Sequence, residues 1–125
     1  MLGIGEPLDI WNGVEKGIDL FDCVAPTRIA RTGMIYTQFG RISLLNEKYQ
    51  RDFSALDEGC TCYTCRNYTR AYVAHLFRGH EMLGATLATI HNMHFLVKLM
   101  DRIRTSILEG KFAEEKQAFI DTYKI

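Results

Sequence analysis

Three cysteines within six residues, Cys60, Cys62 and Cys65, are the part of the chain best equipped for chemistry. The pattern Cys-x-Cys-x-x-Cys places three soft sulfur donors in one short turn, and zinc most often takes thiolate and imidazole in a closed tetrahedron. A fourth ligand is then needed, and four histidines compete for it. A helix opened by Cys65 and running through Arg70 and Phe77 to Gly79 would be about 20 Å long at 1.5 Å per residue. It carries His75 away from the sulfurs and leaves His80 beyond its far end. A second helix that begins near Glu81 and folds back regains the level of Cys65 after about a dozen residues, which falls on His91 or His94. Spacing leaves these two open. The competing reading is a disulfide or plain core packing, but a Cys-x-Cys pair is too close to bridge without strain and three clustered cysteines cannot all pair. Cys23 lies in a different kind of segment.

The second reactive candidate is Asp22, near the end of the short apolar run Ile18 to Val24. A carboxylate at the C-terminal end of a parallel strand stands on the rim where α/β barrels place their reactive groups. Phe21 and Cys23 flank it with apolar surface, and Arg28 and Arg31 follow within a loop that could hold an anion or an RNA backbone. An aspartate after a strand also serves as a turn former or helix cap.

The elements that must position these groups follow in order. Leu2-Gly3-Ile4-Gly5 reads as the end of a buried strand, and Pro7 starts an amphipathic helix with Leu8, Ile10, Trp11 and Val14 as apolar positions, closed by Gly17. With the apolar run from Ile18, residues 2–24 form one strand-helix-strand unit, the building block of a parallel sheet. One unit cannot make a stable sheet, so the α/β domain is expected to begin upstream of Met1. Residues 26–33 read as loop, and Met34 to Thr37 and Arg41 to Leu44 as a hairpin around Gln38-Phe39-Gly40. Residues 49–59 are polar and irregular. Beyond the cysteines come a helix to about Arg78, a long one ending near Glu109-Gly110 with Leu96, Leu99, Met100, Ile103 and Ile107 at helical spacing, and a last one from Phe112 to Tyr123.

Composition limits the alternatives. A chain of 125 residues with 47% hydrophobic content is one domain or part of one, with enough apolar material for a core. Fifteen basic and fifteen acidic side chains cancel, so bulk charge selects no partner. Their placement is uneven: Arg28, Arg31, Arg41, Lys48 and Arg51 form a basic strip, preceded by acidic Glu6, Asp9, Glu15, Asp19 and Asp22. An acidic lip beside a basic strip could hold a nucleic-acid backbone and do carboxylate chemistry, although such a strip also serves as a solvated face. No run of eighteen apolar residues exists, so no membrane partner is expected, and the first residues lack the basic start and apolar core of a signal peptide. A reducing, cytoplasmic setting is expected, in which thiols stay available for metal.

Phe21-Asp22-Cys23-Val24-Ala25-Pro26-Thr27-Arg28, Arg31, Cys60-Thr61-Cys62-Tyr63-Thr64-Cys65 and His91-Asn92 together resemble the C-terminal third of the tRNA-guanine transglycosylases, also called queuine tRNA-ribosyltransferases. The likeness extends through Arg70-Ala71-Tyr72 and the Leu99 to Gly110 helix. It implies an α/β fold, the C-terminal part of a (β/α)8 TIM-type barrel with an inserted zinc-binding subdomain and C-terminal helices. Residues 1–45 would be the last strands and loops of the barrel and residues 46–125 the zinc subdomain and terminal helices. The implied reaction exchanges guanine at the anticodon wobble position of tRNA for a 7-deazaguanine. Asp22 would be the nucleophile that forms a covalent ribosyl enzyme. Gly3, Ile4, Gly5, Glu6, Pro7, Leu8 and Asp9 would line the RNA path, and Thr27, Arg28, Ile29, Ala30 and Arg31 would read the anticodon loop. The resemblance makes Cys60, Cys62, Cys65 and His91 the Zn2+ ligands, with His94, His75 and His80 on helix faces. It also implies a homodimer of the full-length enzyme, with the general acid/base and base-recognition residues upstream. The alternative to an enzyme is a free-standing, zinc-stabilised module that binds RNA or a protein without catalysis.

Overall fold

The computed structural model describes residues 1–125, with helix α1 at Pro7–Glu15, α2 at Ala25–Ala30, strands β1 at Met34–Thr37 and β2 at Gly40–Ser43, then α3 at Tyr63–Asn67, α4 at Arg70–Arg78, α5 at Met82–Leu108 and α6 at Phe112–Thr122. Helix α5 is the axis. Its 27 residues span about 40 Å, and α2, α3, α4, α6, α1 and β1 all pack on it. The first half of α5 supplies Leu87 and Ala88 to a core with Ile35, Leu44, Leu56 and Val73. Its second half supplies Leu99 and Ile103 to another core with Ile10, Trp11, Phe119 and Tyr123. Trp11 packs against Phe112 and Phe119 with ring centroids 5.4 and 5.8 Å away, within the range of favourable tilted aromatic pairs.

Several expectations hold. Pro7 begins α1, where its missing N–H costs nothing. The hairpin pairs Met34 with Ser43 through Thr37 with Gly40, antiparallel. The long helix starts at Met82 beside Glu81 and ends at Leu108, before Glu109-Gly110.

Three expectations need correction. Residues 26–33 are not all loop: Ala25–Ala30 is helical, because Pro26 sits in a first turn, where proline is preorganised rather than disruptive. The single helix expected from Cys65 to Gly79 is two, α3 and α4, separated by Tyr68 and Thr69 in extended conformation. Thr69 caps α4 by accepting the Tyr72 N–H at 3.1 Å, a role threonine prefers to a helix interior. Residues 2–5 and 18–24 form no strands. They meet in one parallel bridge, Leu2 with Asp22, where the Asp22 N–H donates to the Met1 carbonyl at 3.0 Å and the Gly3 N–H to the Asp22 carbonyl at 2.6 Å. Leu2 and Ile4 are exposed, at 79% and 45%, so the buried strand expected there has nothing against which to be buried. The parallel direction is the one that a strand-helix-strand unit requires.

Candidate metal centre and reactive segment

Helices α3 and α5 assemble the metal centre. Cys62 is the N-cap of α3, accepting the Cys65 N–H at 3.3 Å, which turns Cys60, Cys62 and Cys65 toward one point. Thr64, fully buried, donates its hydroxyl to the Leu87 carbonyl at 2.7 Å and so fixes α3 on α5 one turn before His91. Earlier on α5, Gly84 allows α4 an equally close approach, since a Cβ there would come within 3.2 Å of Leu76 Cβ. His91 Nδ1 lies 3.7, 3.5 and 3.3 Å from the Sγ atoms of Cys60, Cys62 and Cys65, and all four ligand atoms fall within 4.8 Å of one another.

These residues could hold a metal ion, and the donor set fits zinc. Zinc bonds of about 2.3 Å to sulfur and 2.05 Å to nitrogen at tetrahedral angles put S and N about 3.6 Å apart, the separation found. His91 Nε2 lies 2.7 Å from the Tyr36 carbonyl and donates to it, which aims the Nδ1 lone pair at the sulfurs in the loaded state. Without metal, protons take over its role. Burial opposes charge on His91, but hydrogen bonds to the Cys60 and Cys62 thiols and the Tyr36 carbonyl outweigh it and raise its pKa to about 10. Hydrogen bonds from Cys60 and Cys65 push the Cys62 thiol down, and those to Cys60 and Cys62 push Cys65 up. The geometry also resolves the choice that spacing left open: His94 stays outside the cluster, its Nε2 3.5 Å from the exposed Thr61 hydroxyl.

Asp22 and the segment behind it form the second region. Asp22 is exposed, and its carboxylate enters none of the chain's ion pairs. Neither do Arg28 and Arg31, both exposed on or just after α2. Glu6 and Arg41, expected on opposite sides of an acidic lip and a basic strip, face each other at 3.7 Å. Glu6 also accepts the Tyr36 hydroxyl at 3.1 Å, and burial followed by the Glu6 charge raises the Tyr36 pKa. Leu8 and Asp9 line a small cleft of about 200 Å³ with Arg41 and Tyr123. A larger one of about 590 Å³ opens beside Cys60 and His94, lined by neither Asp22 nor residues 27–31. Gly3 takes a φ of +75°, while a Cβ on Gly5 would meet the Cys23 side chain at 2.7 Å.

Asn92 carries structural weight that sequence reasoning did not assign. It is fully buried, and its amide bonds three backbone groups of α2 and β1. The signal available was a polar pair, His91-Asn92, continuing the buried stripe of Leu87 and Ala88 one turn on.

Two helices, α3 and α5, brought together at a Cys3His cluster beside a β-hairpin, with an unpaired aspartate on a parallel bridge, define a mixed helix-and-strand metal-binding class. The family model described as Queuine tRNA-ribosyltransferase matches residues 1–125, so the chain belongs to that family. It is 52% identical over 123 residues to the queuine tRNA-ribosyltransferase of Thermoanaerobacter pseudethanolicus, covering 98% of this chain and 33% of that protein. The enzymes so named from Moorella thermoacetica and Bacillus pumilus are 51% and 48% identical over the same length, with 33% and 32% of each covered. The chain thus spans about a third of the length of these curated relatives. No helix is long and apolar enough to cross a membrane.

Proposed function

We propose that this chain is the nucleophile-bearing and zinc-binding part of a queuine tRNA-ribosyltransferase, exchanging guanine at the anticodon wobble position for a 7-deazaguanine. The observation that carries the reading is the family match across every residue from 1 to 125. The Asp22 carboxylate, exposed and free of ion pairs, attacks C1′ of the target ribose. The C1′–N9 bond breaks, guanine leaves with the bonding pair, and a ribosyl ester of Asp22 forms. The incoming base then displaces the carboxylate from C1′. A negative charge beside an anomeric carbon also stabilises the cation-like state through which that carbon passes. The target base must leave its stack to be reached. The general acid/base and the base pocket belong to the remaining two thirds of such an enzyme.

Thr27 to Arg31 read the anticodon loop in this proposal, with Arg28 and Arg31 as the strongest contacts and Gly3 to Asp9 along the RNA path. The engagement of Glu6 with Arg41 and Tyr36 supports this, because it occupies one of the two carboxylates, Glu6 and Asp9, that would otherwise repel RNA on that path. A (β/α)8 barrel accounts for the isolated parallel bridge between Leu2 and Asp22: Leu2 and Leu20, 79% and 76% exposed, are apolar side chains of a kind that neighbouring strands and helices cover. Residues 1–45 then complete the barrel and residues 46–125 form the zinc unit and terminal helices. Cys60, Cys62, Cys65 and His91 hold Zn2+, which staples α3 to α5. A homodimer in a cytoplasmic setting completes the proposal.

The test uses a complete transglycosylase carrying this sequence in place of its own C-terminal part. Wild type incubated with an anticodon stem-loop should trap a covalent RNA adduct that survives denaturation. Asp22→Asn should bind the RNA and trap none, since a neutral amide is a far weaker nucleophile. Guanine exchange by Asp22→Asn at the wild-type rate would refute the assignment.

A further inference from the structure

Helices α5 and α2 share an extensive contact, yet only one side-chain hydrogen bond joins them. Asn92 makes it. Fully buried, it donates from Nδ2 to the Pro26 carbonyl at 3.0 Å and to the Met34 carbonyl at 3.1 Å. Its Oδ1 accepts the Tyr36 N–H at 3.1 Å. Both amide protons and the amide oxygen are therefore used, each on a backbone group more than fifty positions away. The neighbouring His91 takes the Tyr36 carbonyl through Nε2, so two consecutive residues of α5 satisfy the edge of β1 that does not face β2. One of them turns its other side to the metal donors; the other reaches on to Pro26, two positions before Arg28 and four after Asp22. No other residue type of this volume offers two donors and one acceptor in one plane.

We propose that Asn92 is a positioning residue: it fixes the segment from Asp22 to Arg31 against the metal-bearing helix, so that the RNA-reading arginines and the nucleophile keep a defined place relative to the zinc unit. The proposal rests on the reading of Arg28 and Arg31 as RNA contacts. An amide that merely filled the core would hold α5 and its neighbours everywhere alike. A clamp acts locally, and that difference is measurable.

The experiment compares wild type, Asn92→Ala and Asn92→Asp. The aspartate keeps volume and the acceptor for the Tyr36 N–H but turns an oxygen toward the Pro26 and Met34 carbonyls. In the zinc-loaded chain, both variants should keep one zinc by elemental analysis. Hydrogen exchange should quicken about tenfold at residues 27–33 and stay unchanged at residues 112–123, the loss of about one buried hydrogen bond. In the complete enzyme, KM for the anticodon stem-loop should rise about tenfold while KM for the incoming base moves less than about twofold. Equal acceleration in both segments, or none in either, overturns the proposal, as does loss of zinc from both variants. Faster exchange at 27–33 with unchanged stem-loop KM leaves the clamp standing and refutes the RNA role of Arg28 and Arg31 instead.

Discussion

Replacing His91 by alanine, beside the same change at His94, tests the metal centre most directly. The magnitude follows from the site. Structural zinc in finger peptides contributes roughly 10–16 kcal/mol near neutral pH, so one ligand of four accounts for about 3 kcal/mol, or about a hundredfold in affinity. His91→Ala also leaves the Tyr36 carbonyl without its donor at 2.7 Å in a fully buried position, a further cost of about 1–3 kcal/mol to the fold. A 125-residue chain holds only roughly 6–19 kcal/mol of stability in all, so removal of zinc is comparable to the whole. His94→Ala removes one 3.5 Å contact to an exposed threonine and should leave affinity unchanged. Competition against a chromophoric chelator, with elemental analysis of zinc, separates the two. Zinc held at wild-type strength by His91→Ala, or lost by His94→Ala, would refute the geometry. Chelation of wild type should unfold residues 57–100 by circular dichroism; an unchanged spectrum would contradict the account. The pH sign also follows. The metal-free site keeps protons on His91, raised to about 10, and on Cys65, also raised. Zinc displaces them, so affinity should fall steadily as pH is lowered below about 10 and release of protons should accompany loading.

Three further outcomes are expected. Arg28→Ala should weaken stem-loop binding and lower the slope of log affinity against log salt by about 1, with the covalent step intact; an unchanged slope counts against a phosphate contact. Gly40→Ala should lower the denaturation midpoint by a change worth about 3 kcal/mol, because Gly40, which forms a parallel bridge with Lys124, has a φ of +129° and a Cβ there runs into the Lys124 carbonyl; a midpoint equal to wild type would refute both the strain and the contact. Arg70→Ala should cost about 2 kcal/mol, since Arg70 donates twice to the Leu56 carbonyl and once to Asp52 at 3.2 Å. Asp52 is held below the ordinary carboxylate value by Ser54, against burial, and then by Arg70. Its contribution is complete above the unfolded value of 3.8 and is lost as pH falls through the lower folded one. Stability of wild type should therefore drop more than that of Arg70→Ala in acid; parallel curves would exclude the coupling.

What the sequence determined by itself was local or carried by residue type. Cys-x-Cys-x-x-Cys announced a thiolate site because three sulfurs so close in the chain cannot separate, and the hairpin and the ends of α1 and α5 followed from Gly40, Pro7 and Gly110. The family motifs around Asp22 and the cysteines were legible for the same reason. The tertiary structure decided what depends on partners distant in the chain. It selected His91 over His94, which sequence spacing could not separate, because only α5's rotation about its axis sets which imidazole faces the sulfurs. It broke the helix at Tyr68 and Thr69, where a capping side chain outweighed a continuous apolar pattern. It left Leu2 and Asp22 as a single bridge, since a strand exists only where a neighbour supplies the other half of its hydrogen bonds. Asn92 is the sharpest case: its residue type says only that it can give two hydrogen bonds and take one. Which backbone groups receive them depends on where α5 crosses α2 and β1, and that crossing is set by the packing of two cores along one helix.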